Sequence, residues 1–90
     1  MKFIFSQHAL QQIFKRAISI AIVKRAVLEG ETIKVYEDDR PYPSKLNLLS
    51  EGDLYLHVVF AEDSVNNSYI VITAYYPDPV LWDAGFKIKK

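Results

Sequence analysis

Ninety residues without a cysteine make one domain, residues 1–90, near the lower end of comfortable core size, and its fold must rest on packing because no disulfide can staple it. Half of the residues are apolar and 13% aromatic, which excludes a disordered tail. Eleven basic and eleven acidic residues cancel, so the chain as a whole lacks the electrostatic footprint of a nucleic-acid binder and any such binding must come from a local patch.

Met1 to Phe5 is too short for a signal peptide, and no apolar run approaches the roughly 18 residues of a membrane span, so a cytoplasmic protein without a membrane partner is expected. Phe3-Ile4-Phe5 reads as a short apolar lead into Ser6, an N-cap, with Phe5 and Leu10 placed as a hydrophobic staple. The helix that follows runs to about Arg16. Its period groups Leu10, Ile13, Phe14 and Ala17 as the core stripe and turns His8, Gln12 and Lys15 to the opposite side. Ser19 repeats the capping signal, with Ile18 and Val23 as a second staple, and the second helix ends at Gly30. One unbroken helix from Ser6 to Glu29 is the alternative. Ile20 to Leu28 is apolar over most of its circumference, which offers a partner surface around Ile22.

Beyond Gly30 the period changes to two. Thr32 to Glu37 reads as a strand burying Ile33 and Val35, and Glu37 to Ser44 is a loop with two prolines and a solvated acidic run. Strands follow at Lys45 to Leu49 and from Leu54, and Asn66-Asn67 turns the chain into a last strand that Pro77 and Pro79 stop. In this hairpin Leu54, Leu56, Val58 and Phe60 alternate with Tyr55, His57 and Val59, and Ile70, Ile72 and Ala74 alternate with Val71, Thr73 and Tyr75. Matching the aliphatic rows needs an even register, which lays His57 beside Val71 or Thr73 with Tyr75 on the same face. The expected fold is α+β: two N-terminal helices packed on one face of a four-stranded antiparallel meander. Val80 to Lys90, with Trp82 and Phe86, is expected as a short turn or helix on a sheet edge.

Glycine-rich phosphate loops, Cys/His metal spacings and nucleophile elbows are missing, so no cofactor and no metal site is expected. His, Arg, Thr and Tyr remain, a set suited to metal-independent RNA cleavage, which needs a base for the ribose 2′-hydroxyl, a cation for the phosphorane and an acid for the leaving oxygen. His57 suits base or acid near neutral pH, Arg16 has the planar fork that clamps phosphate, and Thr73 and Tyr75 can position a phosphate or stack a base. Each also has a plainer reading. His57 fits a packed, hydrogen-bonded histidine; His8 a surface residue of a first helical turn; Arg16 a cation complementing a helix C-terminus; Tyr42 a rigid loop anchor.

Phe5-Ser6-Gln7-His8-Ala9, Arg16-Ala17-Ile18-Ser19, Arg40-Pro41-Tyr42-Pro43-Ser44, Leu56-His57-Val58-Val59 and Ile72-Thr73-Ala74-Tyr75-Tyr76-Pro77-Asp78-Pro79 with Trp82 together resemble a small prokaryotic family of unknown function, met as a toxin-like gene product. That family is similar in fold to the RelE/ParE and barnase–EndoU–colicin nucleases. The resemblance implies a metal-independent endoribonuclease, the toxin of a type II toxin–antitoxin pair, with RNA as substrate and a YgiT/MqsA-type zinc-binding antitoxin as partner. By position it assigns the site to His8, Arg16, His57 and Thr73. RelE-like toxins are strongly basic where this chain is neutral, which argues for a specific rather than a bulk RNA substrate. Two functions stand against each other. The first is a nuclease with His57 and His8 as the proton-transfer pair, Arg16 as clamp, and Thr73 and Tyr75 positioning. The second is a non-catalytic module, ParE-like, that docks a partner or a second copy through helix two and the Trp82 tail.

Overall fold

The computed structural model describes residues 1–90. Its elements are β1 (Lys2–Phe5), α1 (Gln7–Lys15), α2 (Ile20–Glu29), β2 (Glu31–Tyr36), β3 (Ser44–Glu51), β4 (Leu54–Asp63) and β5 (Ser68–Tyr75). Strands β2 to β5 pair antiparallel in sequence order, and β1 adds to the far edge of β5 in parallel, giving the order β1-β5-β4-β3-β2. The expected four-stranded antiparallel meander is thereby corrected to a five-stranded mixed sheet within an α+β fold. Phe3 and Phe5 pack against the core from β1 and Ile4 is exposed, the alternation of a strand rather than of a lead-in.

Both helix caps lie at the expected serines. Ala9 N–H donates to Ser6 Oγ at 3.0 Å and Ile22 N–H to Ser19 Oγ at 3.4 Å. Two helices form rather than one because Ala17 takes a left-handed φ of 53°. Ile18 N–H then reaches Ile13 O at 2.9 Å and Ala17 N–H reaches Phe14 O at 3.2 Å, the paired bonds of a Schellman stop closed by the buried Ile13 and Ile18. An alanine holds the place where glycine is unstrained. Ala17→Gly should therefore stabilise the protein by about 1 kcal/mol, read as a rise of roughly 5 °C in Tm; an unchanged or lower Tm would contradict the strain.

The core lies between the helices and one sheet face, where Ala9, Ile13, Val23, Ala26 and Val27 meet Leu49, Leu56, Val58, Phe60, Val71 and Ala74. The stripe on α1 is not the expected one: Ala9 and Ile13 are buried, whereas Leu10 is 48% and Phe14 89% exposed. Ser6 sets this rotation, since its hydroxyl, besides capping, donates to Ile72 O at 3.0 Å and pins the helix start to β5. On α2, Ile22 packs against the core rather than forming the expected partner surface. Val35, expected to be buried, is 47% exposed on edge strand β2, whose register shifts between Thr32 and Lys34.

The register of β4 and β5 also shifts, between Val59 and Phe60, so that Phe60 faces Val71, Val59 faces Thr73, and Ile72 is the extra residue of a bulge. Val71 and Ala74 therefore face the core in place of the expected row of Ile70, Ile72 and Ala74. His57 lies opposite Tyr75 instead of Val71 or Thr73.

Asn47 ties α2 to the sheet: its Nδ2 donates to Ala26 O at 2.9 Å and Val27 O at 3.3 Å, and its Oδ1 accepts from Thr32 Oγ1 at 2.6 Å. Gly30 follows in extended backbone and is needed for space, because a Cβ there would stand 2.4 Å from Ala26 O. Tyr42 is a loop anchor, its hydroxyl donating to Asp63 at 3.0 Å.

Residues 77–90 form the turn that was one of the two expectations, with no helix, and do not pack on a sheet edge. Asp78 turns the chain, accepting from Val80 N–H on Oδ1 at 2.8 Å and from Leu81 and Trp82 N–H on its carbonyl at 2.9 and 3.1 Å. The segment then doubles back through a Trp82–Lys89 bridge and lies as a strap over the sheet face away from the helices, fastened by a Lys87–Glu31 ion pair at 3.0 Å. Neither helix is long and apolar enough to cross a membrane.

Candidate functional site

Pairing of β1 ends at Phe5 opposite Val71, so β5 from Ile72 onward has no strand on its outer side. Helix α1 lies along that open edge, and His8, Gln12 and Arg16, four residues apart, share one stripe of it. They line a pocket of about 380 Å³ whose other walls are Thr73, Tyr75 and Tyr76 from the end of β5 and Asp78, Leu81 and Trp82 from the strap. Four of the five residues expected in the site, His8, Arg16, Thr73 and Tyr75, thus converge from opposite ends of the chain.

The fifth, His57, sits behind that wall and is fully buried. Its Nε2 is 2.8 Å from Phe86 O, an acceptor only, so Nε2 carries the hydrogen and Nδ1, 3.2 Å from Tyr75 Oη, accepts the phenol hydrogen. Trp82 stands edge-on to the ring at 4.5 Å, and Phe86 covers the adjacent Tyr55, also at 4.5 Å. Burial pushes the His57 pKa below the ordinary imidazole value, against a smaller opposing effect of the Phe86 carbonyl. His57 is therefore a neutral strut with both nitrogens occupied. Burial likewise raises the Tyr75 phenol, which keeps its proton.

Lining groups divide by the freedom of their polar atoms. Asp78 brings a carboxylate, but Oδ1 is engaged by the turn it makes. Gln12 Oε1 is buried without a hydrogen-bond partner, an acceptor suited to a hydroxyl or amino group of a ligand. His8 and Arg16 are exposed, and neither takes part in an ion pair. No three His, Asp or Glu side chains are grouped so as to hold a metal ion. What the arrangement offers chemically is an exposed imidazole and a guanidinium fork on the wall of one pocket.

Charge is distributed far more unevenly than the neutral total suggests. Residues 1–28 hold five Lys and Arg and no Asp or Glu, whereas residues 29–90 hold the other six and all eleven acids. The helical part is thus the basic end of the chain, and of its cations Arg16 reaches the pocket.

Gln12 and Asp78 line the pocket although neither is among the residues expected there. The four-residue spacing of His8, Gln12 and Arg16 was a usable signal for the first, and an aspartate between two prolines was one for the second. A family model described as a domain of unknown function, DUF4258, matches residues 5–76, which span α1 to β5 and leave the strap outside. No curated protein and no solved structure matches the chain.

Proposed function

The chain belongs to the DUF4258 family, and from that premise we propose that it is a metal-independent endoribonuclease, the toxin of a type II toxin–antitoxin pair. The convergence of His8, Arg16, Thr73 and Tyr75 on one pocket carries this reading. His8 takes the proton of a ribose 2′-hydroxyl, the 2′-oxygen attacks phosphorus, and the Arg16 fork holds the phosphorane charge. The bond to the 5′-oxygen then breaks, leaving a 2′,3′-cyclic phosphate and a 5′-hydroxyl whose proton comes from water.

Tyr75 serves as a positioning group in this scheme, since its hydrogen is committed to His57. Thr73 donates to a phosphate oxygen, and Gln12 Oε1 accepts from a hydroxyl or base amine. The partner that restrains the toxin is a small antitoxin of the YgiT/MqsA type, as in RelE-like pairs. Purified protein incubated with a defined RNA in excess EDTA should give fragments ending in 2′,3′-cyclic phosphate. RNA that stays intact both free and on ribosomes would overturn the proposal.

A further inference from the structure

A second pocket, of about 330 Å³, is walled by Lys34 and Tyr36 of β2, by Lys87 and Lys89 of the strap, and by Tyr75 and Trp82. The last two also wall the pocket beside α1, so the two hollows adjoin across these rings. Three lysines and three aromatic side chains line the second pocket, and no Asp or Glu does. Lys87 is neutralised by Glu31, whereas Lys34 and Lys89 have no ion-pair partner. The Lys34 ammonium stands 5.1 Å from the centre of the Tyr36 ring, which sets a cation beside an aromatic surface. Strand pairing aligns this pocket with the first. Lys34 lies opposite Leu46, Leu46 opposite Val59 and Val59 opposite Thr73, and directly opposed residues share a face, so the row crosses the sheet from β2 and ends at the pocket of His8 and Arg16. At about 4.8 Å per strand its ends are roughly 14 Å apart.

We infer that the second pocket is a subsite for single-stranded RNA, which holds nucleotides to one side of the phosphate bound by Arg16. Lys34 and Lys89 meet backbone phosphates there, and Tyr36 and Trp82 stack on bases. The inference rests on the nuclease reading of the first pocket and narrows its substrate to an unpaired strand, because bases reach aromatic side chains only when they are out of a duplex. The neutral total charge of the chain does not oppose it, since the two free lysines stand where no carboxylate lines the wall. An acidic peptide would match the lysines and leave the aromatic walls without a stacking partner.

Trp82 is the single tryptophan and walls both pockets, so quenching of its fluorescence reports the binding of unlabelled oligonucleotides. Oligouridylates carrying 2′-fluorine lack the attacking hydroxyl and stay intact during the titration. A hexanucleotide should bind at least about tenfold more tightly than a dinucleotide, because it fills both pockets at once. Lys34→Ala combined with Lys89→Ala changes two exposed side chains and should leave the Tm unaltered. It should remove most of the hexanucleotide's advantage, spare the dinucleotide, and flatten the salt dependence of log affinity by about 0.7 per lysine. Tyr36→Leu should weaken the hexanucleotide about tenfold with no change in that slope, since it removes stacking and no charge. Equal affinity for both lengths, a hexanucleotide indifferent to the two lysines, or hexaglutamate bound as tightly as the hexanucleotide would each overturn the subsite, and RNA cleavage in EDTA by the same preparations would then leave the nuclease reading standing. Quenching by neither length would overturn the subsite as well, and together with intact RNA it would overturn the nuclease reading too.

Discussion

His8→Ala is expected to slow metal-free RNA cleavage by about 10² to 10⁴-fold, the usual contribution of a positioned acid–base group, with no change in Tm. The side chain is exposed and holds nothing in the fold, so folding and turnover separate at this residue. Arg16→Ala should lose activity on a similar scale, because an uncompensated phosphorane charge costs about as much as a missing oxyanion-hole donor. Arg16→Lys should recover only part of it, since a point charge replaces a planar fork. Rates measured in EDTA beside thermal melts of the same preparations decide the matter. An unchanged rate in His8→Ala would move proton transfer elsewhere, and Tyr75 is a poor successor while burial raises its pKa and His57 holds its hydrogen.

Contacts that are local in the chain are legible in the sequence. Ser6 and Ser19 cap helices because a hydroxyl three residues before a free N–H is a contact within one turn. Contacts with a distant partner are not legible. Three alternating residues at Phe3 to Phe5 carry too little period to identify a strand, and their parallel partners at Tyr69 to Val71 lie at the other end of the chain. A strict period of two could not foresee the bulge at Ile72, which turns Val71 into the core and brings Tyr75 opposite His57. That His8, Arg16, Thr73 and Tyr75 point away from the core was legible because strand alternation and helix spacing fix directions. The plainer reading of His57, a packed and hydrogen-bonded histidine, matches the structure, but its second partner was not legible, because that is the backbone carbonyl of Phe86, and no side-chain pattern announces an acceptor that every residue carries.

That occupancy makes His57 the residue whose loss should most damage stability. His57→Ala is expected to cost about 3 kcal/mol, from a cavity beneath Trp82 together with a Phe86 carbonyl left without its donor. The cost should depend on pH with a definite sign. Burial lowers the folded pKa below the unfolded value of about 6.5, so the unfolded chain takes up the proton first. His57's contribution is therefore complete above that value and shrinks as pH falls through the window beneath it, by at most about 1.4 kcal/mol per pH unit. Denaturant unfolding at pH 7.5 and pH 5 should show the gap between wild type and His57→Ala narrowing at the lower pH. A gap that does not change would mean that the ring protonates as easily folded as unfolded, which cannot be reconciled with its burial under the strap. Because Tyr75 forms a wall of the pocket proposed to cleave RNA and His57 fixes its hydroxyl, His57→Ala should also lower cleavage, but through the displaced strap. The activity lost should follow the unfolding of residues 77–90, seen as increased solvent exposure of Trp82 fluorescence, and not the protonation of an imidazole at the scissile phosphate.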